Sequence, residues 1–306
     1  MLSLVARDPG IYVEILIRGS IDEVWRHTQE PSIHELWDLR FSAIRYLPRP
    51  AESEPQRFLY STRLGFGLHI DGEGESTGSR EDAGGIRTSA LKFWSRDPKS
   101  LIEHGSGYWR YVPARDGTRF LTWYDYQPRF GVLGRILDRL VFRPWIGWAT
   151  AWSFDRLRLW IDEGITPAAS LKFTLIHGVA RLGIAFIWVW QGLVPKLLHR
   201  DADERAMMAA AGLPADLIPV IGLIEILFAL VGLWLWRWRS YFLLNIVAMI
   251  VAASLVALRS PAYITAAFNP ITLNAGVAFL SIAGYLAASS LATASRCLRR
   301  QLAERK

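Results

Sequence analysis

The spacing of apolar positions changes about half-way along the chain. Up to about residue 165 they come in short runs separated by Gly, Pro and Asp, whereas from about Phe173 onward they form four long stretches almost free of charge. Short alternating runs are typical of strands, and an apolar stretch of about 20 residues is long enough to cross the ~30 Å hydrocarbon core of a bilayer as a helix. The pattern predicts a soluble domain followed by a membrane domain.

The first half of the chain predicts a strand, a short helix and six further strands. The first strand is Ile11–Ile17, which is rich in β-branched residues. Ser20 and Glu23 have capping-box spacing for a short helix that begins at Ile21. The further strands are predicted at residues 43–47, 57–64, 68–76, 86–95, 103–113 and 118–127. This succession of strands predicts an antiparallel meander.

A long helix is predicted to follow the last strand. It runs from about Val132 to Glu163, with Pro144 as a kink or a restart and Gly164 as its C-cap. A curved sheet wrapped around one long helix leaves a cavity between the two. The predicted fold class is therefore α+β, followed by an all-α bundle of four transmembrane helices.

The order of these elements carries a family resemblance. Together with Trp25 and the Trp37-Asp38 step after Pro31, it resembles the helix-grip proteins of the START/polyketide-cyclase superfamily. The resemblance covers about half the chain and implies an apolar ligand cavity lined by aromatic side chains. At each candidate position, the alternative is that the side chain belongs to an ordinary packed core and lines no cavity. The candidates for the cavity wall are Trp37, Tyr60, Phe93, His104, Trp109 and Tyr124.

The four apolar stretches are predicted to be transmembrane helices. Their predicted bounds are Phe173–Pro195, Leu217–Trp236, Tyr241–Leu258 and Ile271–Leu291. Trp and Tyr residues lie near several of their ends, as in the aromatic belts of membrane proteins. The predicted domains are a soluble domain at 8–165, a linker at 166–172, a transmembrane domain at 173–295 and a basic cytoplasmic tail at 296–306.

The net charge and the single cysteine limit the kinds of partner and site that the chain can have. The chain has 35 Lys and Arg against 28 Asp and Glu, and a formal net charge of +7. Because basic residues cluster beside the apolar stretches, they favour anionic lipid headgroups over nucleic acid as partners. The single cysteine, Cys297, excludes an internal disulfide, a CxxC pair and a Cys-based zinc site. The first residues lack the features of a signal peptide.

The basic residues also predict an orientation in the membrane. Four spans place the N-terminal domain, the connection between spans two and three, and the C-terminal tail on one side. That side carries Arg156, Arg158, Lys172, Arg237, Arg239, Arg296, Arg299, Arg300, Arg305 and Lys306. The other side carries Lys196, Arg200, Arg205 and Arg259, diluted by acidic residues. The positive-inside rule therefore predicts a multi-pass protein of the inner (plasma) membrane with both termini in the cytoplasm.

Four short groups of residues stand in order along the second half. They are Arg181-Leu-Gly183, Gly192-Leu-Val-Pro-Lys196, Gly222-Leu-Ile-Glu225 and Phe268-Asn-Pro-Ile271. This set resembles the DoxX-like family of small four-helix membrane proteins. The family takes its name from a subunit associated with a thiosulfate:quinone oxidoreductase, and other members have links to redox stress. The resemblance implies a connection to quinones or redox chemistry.

Polar side chains inside the apolar stretches are candidates for an intramembrane site, since their burial is costly. Arg181 and Glu225 are predicted at similar depth and therefore as a pair, which would either form a site or fix the packing of two helices. Two further layers are predicted, either as a polar track or as ordinary interhelical hydrogen bonds. They are His177 with Asn245, and Gln191 with Asn274.

Three functional interpretations follow. In the first, the soluble domain binds an apolar ligand at the membrane surface (a lipid, an isoprenoid or a quinone-like molecule), so that its partners are membrane lipids and an apolar small molecule. In the second, the chain is a DoxX-type subunit of a quinone-linked redox system, although no flavin, haem or iron–sulfur motif is present. In the third, it is a scaffold or stress-response protein without a ligand and with a filled core. No catalytic motif, metal site or resident cofactor is predicted.

Overall fold

The computed structural model describes residues 10–301 except 50, 52 and 66. The described residues form two compact units. The first contains the chain up to Ser170 together with the segment from Ala292 onward, and the second contains Leu171–Leu291. The predicted bounds at residue 8 and at 302–306 lie outside the described residues.

The first unit is built on one antiparallel sheet of seven strands. The strands are β1 (Ile11–Ile17), β2 (Ala43–Tyr46), β3 (Arg57–Gly65), β4 (Leu68–Glu81), β5 (Arg87–Trp94), β6 (Ile102–Ala114) and β7 (Gly117–Pro128). Their order across the sheet is β1-β7-β6-β5-β4-β3-β2. All strands after β1 therefore form a meander, and β7 pairs with β1 at one edge, as with Ile15 opposite Phe120. The predicted antiparallel sheet is confirmed.

Two short helices connect β1 to the meander. Helix α1 (Ile21–Gln29) begins as predicted, because the Glu23 N–H donates to the Ser20 hydroxyl over 3.2 Å. Helix α2 (Pro31–Trp37) lies where the sequence predicts no second helix. Proline at the first helical position is compatible with a helix start, since no partner exists there for an N–H group.

One long helix packs against the concave side of this sheet. Helix α3 (Gly131–Leu137) continues through a π-helical turn at Asp138–Phe142 into α4 (Arg143–Glu163). The turn directly precedes Pro144, whose missing N–H interrupts the regular hydrogen-bond pattern. Phe154 of α4 stacks on Phe120 of β7 at a ring distance of 4.4 Å, which joins helix and sheet in one core. The helix-grip fold is confirmed.

The segment after the last span also belongs to the first unit. The Thr293 N–H donates to the fully buried Asp155 carboxylate of α4 over 2.7 Å. Leu298 and Glu14 of β1 exchange two backbone hydrogen bonds of 2.9 Å. Buried Cys297 donates to the Ala151 carbonyl. Up to residue 301, the predicted tail is therefore part of a folded domain.

The second unit contains the membrane helices. Four helical segments are long and apolar enough to cross a membrane, at Pro167–Leu198, Ala215–Trp234, Ser240–Arg259 and Pro270–Arg296. The helices in them are α5 (Pro167–Gln191), α7 (Ile218–Trp234), α8 (Ser240–Arg259) and α9 (Pro270–Ala287), and α6 (Ala202–Ala210) lies between the first two. A π-helical turn at Gly192–Leu198 extends α5. The four predicted spans are confirmed.

Glycines set the contact between the first two spans. A Cβ on Gly192 would lie 2.4 Å from the Gly222 carbonyl oxygen, and a Cβ on Gly222 would lie 2.7 Å from that of Gly192. Small residues allow such close backbone approach, which is a common way to pack helices where no hydrophobic effect draws them together. The contact fixes the register of α7 against the end of the first span.

Candidate functional site

The first unit encloses a cavity of about 560 Å³ between the sheet and the helices. This volume is within the usual range for small-molecule sites. Aliphatic and aromatic side chains make up much of the wall, with contributions from α1, α2, the long helix and strands β2 to β7. Apolar examples from different elements are Ile44, Phe58, Leu91, Phe93, Trp109 and Ile146.

Four of the six residues predicted for the cavity wall lie in it. Tyr60, Phe93, Trp109 and Tyr124 all line the cavity. The other two predictions are wrong, for different reasons given below. Alternation along a strand indicates which residues share a face, but it does not show which of these side chains reach the open space.

Trp37 is fully buried in the solid core instead of lining the cavity. Its indole N–H donates to the His27 carbonyl over 2.8 Å, and its ring packs on His34 and Phe154. His104 is exposed in β6, opposite Gln127 of β7. Its pairing with β7 is regular from His104 to Trp109, and because these two residues are five positions apart they lie on opposite faces of the strand.

A buried polar cluster lies in the wall at the end of α2. The Asp38 carboxylate accepts from Arg40 Nε over 2.9 Å, from Arg40 Nη2 over 2.6 Å and from His34 Nε2 over 3.0 Å. His34 and Arg40 line the cavity, while Asp38 stands behind them and is 1% exposed. In the sequence, Asp38 stands out only as part of a family resemblance, and no local pattern indicates this cluster.

Electrostatics keep the cluster in one protonation state near neutral pH. Burial alone would raise the pKa of Asp38, but Arg40 and His34 outweigh it and hold the pKa of this carboxyl well below its usual range. Burial lowers the pKa of His34, although Asp38 opposes this effect. Neutral His34 therefore donates through Nε2 to ionised Asp38, and the charges of Asp38 and Arg40 cancel.

Arg40 retains donors beyond those that Asp38 uses. A guanidinium has five N–H donors, and Asp38 takes one from Nε and one from Nη2. The group lies 5.5 Å from the ring centres of both Phe41 and Tyr124. A cation held between aromatic rings in a cavity wall can donate to an oxygen atom of a bound molecule.

A second polar group lines the cavity near α1. Tyr111 accepts a hydrogen bond from Gln29 Nε2 over 2.9 Å and shares one of 2.5 Å with the Thr28 hydroxyl. Ser89 of β5 donates to Gln29 over 3.3 Å. Burial raises the pKa of Tyr111, so this group is neutral. Thr28, Gln29 and Ser89 all line the cavity, and none of these three side chains carries a charge.

In the membrane unit, Arg181 and Glu225 do not pair. The fully buried Arg181 donates to the carbonyls of Gly232 and Trp238, over 3.0 and 3.1 Å. Its guanidinium also packs on the rings of Tyr241 and Phe242. These carbonyls lie at and beyond the C-terminal end of α7, where carbonyl groups lack helical partners. Arg181 thus satisfies the end of a neighbouring helix.

Glu225 instead forms an ion pair with Lys196 over 3.2 Å. Lys196 also pairs with Glu204 of α6 over 3.1 Å. The sequence pattern predicts Lys196 just beyond the end of the first span, outside the membrane. It is in fact buried, because the π-helical turn carries the helix on to Leu198.

The register of the two helices explains the wrong pairing. A Cβ on Gly192 would lie 3.2 Å from the Glu225 Cβ, and one on Gly222 would lie 3.0 Å from the Lys196 Cβ, so Glu225 is level with about position 192. Arg181 is eleven residues from that level, or about 16 Å at 1.5 Å per residue. The predicted depths took Lys172 and Arg237 as equivalent edges, whereas α5 begins at Pro167 and α7 ends at Trp234.

The two further predicted layers are not formed either. His177 packs on Trp236 and Phe242 and lies 3.5 Å from Arg181. Asn245 accepts from the Trp188 indole over 2.7 Å and donates to the Tyr241 carbonyl. Within the part of the chain that the structure describes, no side-chain hydrogen bond joins Gln191 to Asn274, which are half-buried. Of these four residues, Asn245 forms an interhelical hydrogen bond, and no continuous polar track joins them among the described residues.

Comparisons with known proteins found similarities in both halves of the chain. Residues 185–282 match the model of the DoxX-like family. The first half is similar to a STAR-related lipid transfer protein from Xanthomonas axonopodis, at 17% identity over 49% of this chain and 83% of that one, with a TM-score of 0.37. It is also similar to the Zhui aromatase/cyclase from a Streptomyces species, at 13% identity over 49% of this chain and 95% of that one, with a TM-score of 0.33.

A curated relative covers more of the chain than the family model does. Over 187 residues the sequence is 47% identical to "Uncharacterized membrane protein YndG" of Bacillus subtilis, which is 61% of this chain and 69% of the relative. Identity at this level over two thirds of a protein reflects common descent. The chain therefore belongs to the family of membrane proteins that includes Bacillus subtilis YndG, and its membrane half is DoxX-like.

Proposed function

We propose that the helix-grip domain binds an apolar small molecule at the membrane surface and that the membrane helices hold it there. The molecule is a lipid, an isoprenoid or a quinone-like compound. The observation that carries this proposal is the cavity of about 560 Å³, whose wall contains many apolar side chains together with buried polar groups. A scaffold without a ligand predicts a filled core, which does not agree with this cavity.

The polar groups of the wall support a particular kind of ligand. Arg40 and Asp38 cancel in charge, and Thr28, Gln29 and Ser89 are neutral. The exposed Arg49 and Arg63 also line the cavity. The cavity therefore favours a mostly apolar molecule that carries an oxygen acceptor, such as a carbonyl or hydroxyl. Such an oxygen would accept from the Arg40 donors that Asp38 does not use.

The proposal includes the orientation predicted from charge, with the helix-grip domain in the cytoplasm. The basic residues beside the spans support this orientation. In this arrangement the ligand comes from the cytoplasmic leaflet or from the cytoplasm itself.

The proposal is tested by identifying what co-purifies with the full chain. The detergent-solubilised protein is analysed by native mass spectrometry and by lipid extraction, beside a Leu91→Trp variant that fills part of the cavity. We expect the affinity of the variant for the bound molecule to fall roughly tenfold, equivalent to about 1.4 kcal/mol of binding free energy, with a corresponding fall in the amount that co-purifies. Lipids held by the membrane helices should stay unchanged.

Lys92→Trp is the matched control. Lys92 follows Leu91 in β5 and is exposed, so the same bulky ring lies outside the cavity. Circular dichroism and thermal unfolding establish that both variants are folded. Equal amounts of every co-purified lipid or quinone in the three proteins would overturn the proposed function.

A further inference from the structure

The N-terminal part of the long helix exposes an unusual number of large apolar side chains. Leu133 is 79% exposed and Leu140 is 71% exposed. The other members of this exposed apolar face are Phe130, Val132, Ile136, Leu137, Val141, Trp145 and Trp148. Their spacing of three and four residues places most of them on one side of the helix, so they form a continuous surface.

The pattern of this helix is inverted relative to a surface helix of a soluble protein. The inward positions are taken by Gly134 and by Asp138, which is 2% exposed. Asp138 accepts from the Tyr126 hydroxyl over 2.6 Å and from Arg143 Nε over 3.0 Å. The polar group thus faces the protein and the leucines face outward, an arrangement that is stable only if the outer surroundings are apolar.

The charges on this face all have one sign. Between Phe130 and Trp148 the only acid is the buried Asp138, whereas Arg135 and Arg139 are exposed. Arginines beside leucines and tryptophans are the composition of helices that lie in the plane of a membrane interface. The exposed Trp145 and Trp148 are suited to the level of the headgroups.

Chain connectivity tethers the C-terminal end of the long helix to a bilayer. Helix α4 ends at Glu163, and the first span begins at Pro167. Three residues thus separate the long helix from a membrane-crossing segment. The helix-grip domain therefore stays near a membrane surface, so a bilayer is a partner that is present for the exposed face.

We propose that the exposed apolar face of residues 130–148 inserts into the interfacial region of an anionic bilayer. The face would bury its leucines among acyl chains and place Arg135 and Arg139 against acidic headgroups. Phe142, Trp145 and Ile146 of the same stretch line the cavity. Insertion therefore brings the cavity wall to the lipid, and this last consequence rests on the proposed function.

The test uses site-directed spin labels on the full chain in liposomes that contain phosphatidylglycerol. Cys297→Ser removes the single native cysteine. Leu133→Cys or Leu140→Cys then carries the label on the face, and Asp116→Cys carries it at the exposed turn between β6 and β7. Collisions with apolar oxygen and with a water-soluble nickel complex are measured by electron paramagnetic resonance.

We expect the labels at 133 and 140 to collide several-fold more with oxygen, relative to nickel, than the label at 116. Equal access of nickel to all three positions would overturn the insertion. Shielding of 133 and 140 from both oxygen and nickel would also overturn it, since a second copy of the protein would then cover the face. Neither outcome depends on a ligand in the cavity, so the proposed function is tested separately.

Discussion

At the scale of residues, several buried charges have partners that compensate them, and the two units do this differently. In the helix-grip domain, Asp38 and Arg40 form a pair beside the cavity. In the membrane domain, Arg181 is held by backbone carbonyls and aromatic rings, and Lys196 lies between two carboxylates. Removing one partner of such a group leaves an unpaired charge in an apolar environment, which costs more than the net contribution of the pair.

The pairing in the membrane domain predicts the result of a double-mutant cycle. Lys196→Met and Glu225→Gln should each destabilise the protein, and the double variant should lose less than the sum of the two. We expect a coupling of about 0.5–3 kcal/mol. The free energy of unfolding of the detergent-solubilised full chain is the measured quantity.

Arg181→Met combined with Glu225→Gln is the control, and the effects of these two changes on the free energy of unfolding should be additive within about 0.5 kcal/mol. A coupling between Arg181 and Glu225 as large as that of the ion pair would contradict the observed register.

At the scale of elements, the C-terminal segment stabilises one edge of the sheet. Strand β1 is an edge strand, and such an edge presents unpaired backbone groups to solvent. Leu298 bonds to Glu14 of β1, while Asp155 of the long helix accepts from the Thr293 N–H and pairs with Arg296. The segment that leaves the last membrane span thereby covers part of β1 and fixes it to the helix.

This arrangement predicts the reactivity of Cys297. Burial, and to a smaller extent Asp155, raise the pKa of the Cys297 thiol to about 12, so little thiolate is present at neutral pH. Leu298→Pro removes the N–H that donates to Glu14 and should release the segment. We expect faster reaction of Cys297 with a maleimide in the native protein. Arg300→Pro, two residues beyond the bonded position, is the matched control and should leave the rate unchanged. A slow reaction in both variants would show that the bridge to β1 does not hold the segment.

At the scale of the whole molecule, one folded unit receives both ends of the membrane segment. The chain up to Ser170 and the segment from Ala292 belong to the same unit. This is compatible only with an even number of membrane crossings, and four helical segments have the length and composition for them. The excess of basic residues on that side predicts that it is the cytoplasmic side.

Chemical labelling tests this topology. In the Cys297→Ser background, Asp116→Cys and Gln301→Cys place one reactive thiol in the helix-grip domain and one in the C-terminal segment. An impermeant maleimide should label both in inside-out vesicles and neither in intact spheroplasts. Labelling from opposite sides would contradict the shared unit. Labelling of both from outside would keep that unit and overturn the cytoplasmic orientation.

Much of this protein is determined by local sequence pattern. The alternation of apolar residues predicted all seven strands within a few residues, and Ser20 marked the start of α1. The four apolar stretches predicted the membrane helices, because crossing hydrocarbon requires length and low charge whatever the neighbours are. The short helix α2 was missed, since Pro31 is equally common in a turn and at a helix start.

Only the tertiary structure decided which distant groups meet. In the register fixed by Gly192 and Gly222, Glu225 forms an ion pair with Lys196, and Arg181 donates to carbonyls at a helix end. The closure of the sheet around the long helix put Tyr60 in the cavity wall and Trp37 in the solid core. The sequence determines which segments are strands and spans, because periodicity and length are properties of neighbouring residues. Pairings, cavities and the return of the C-terminal segment depend on contacts between residues far apart in the chain, which no local pattern records.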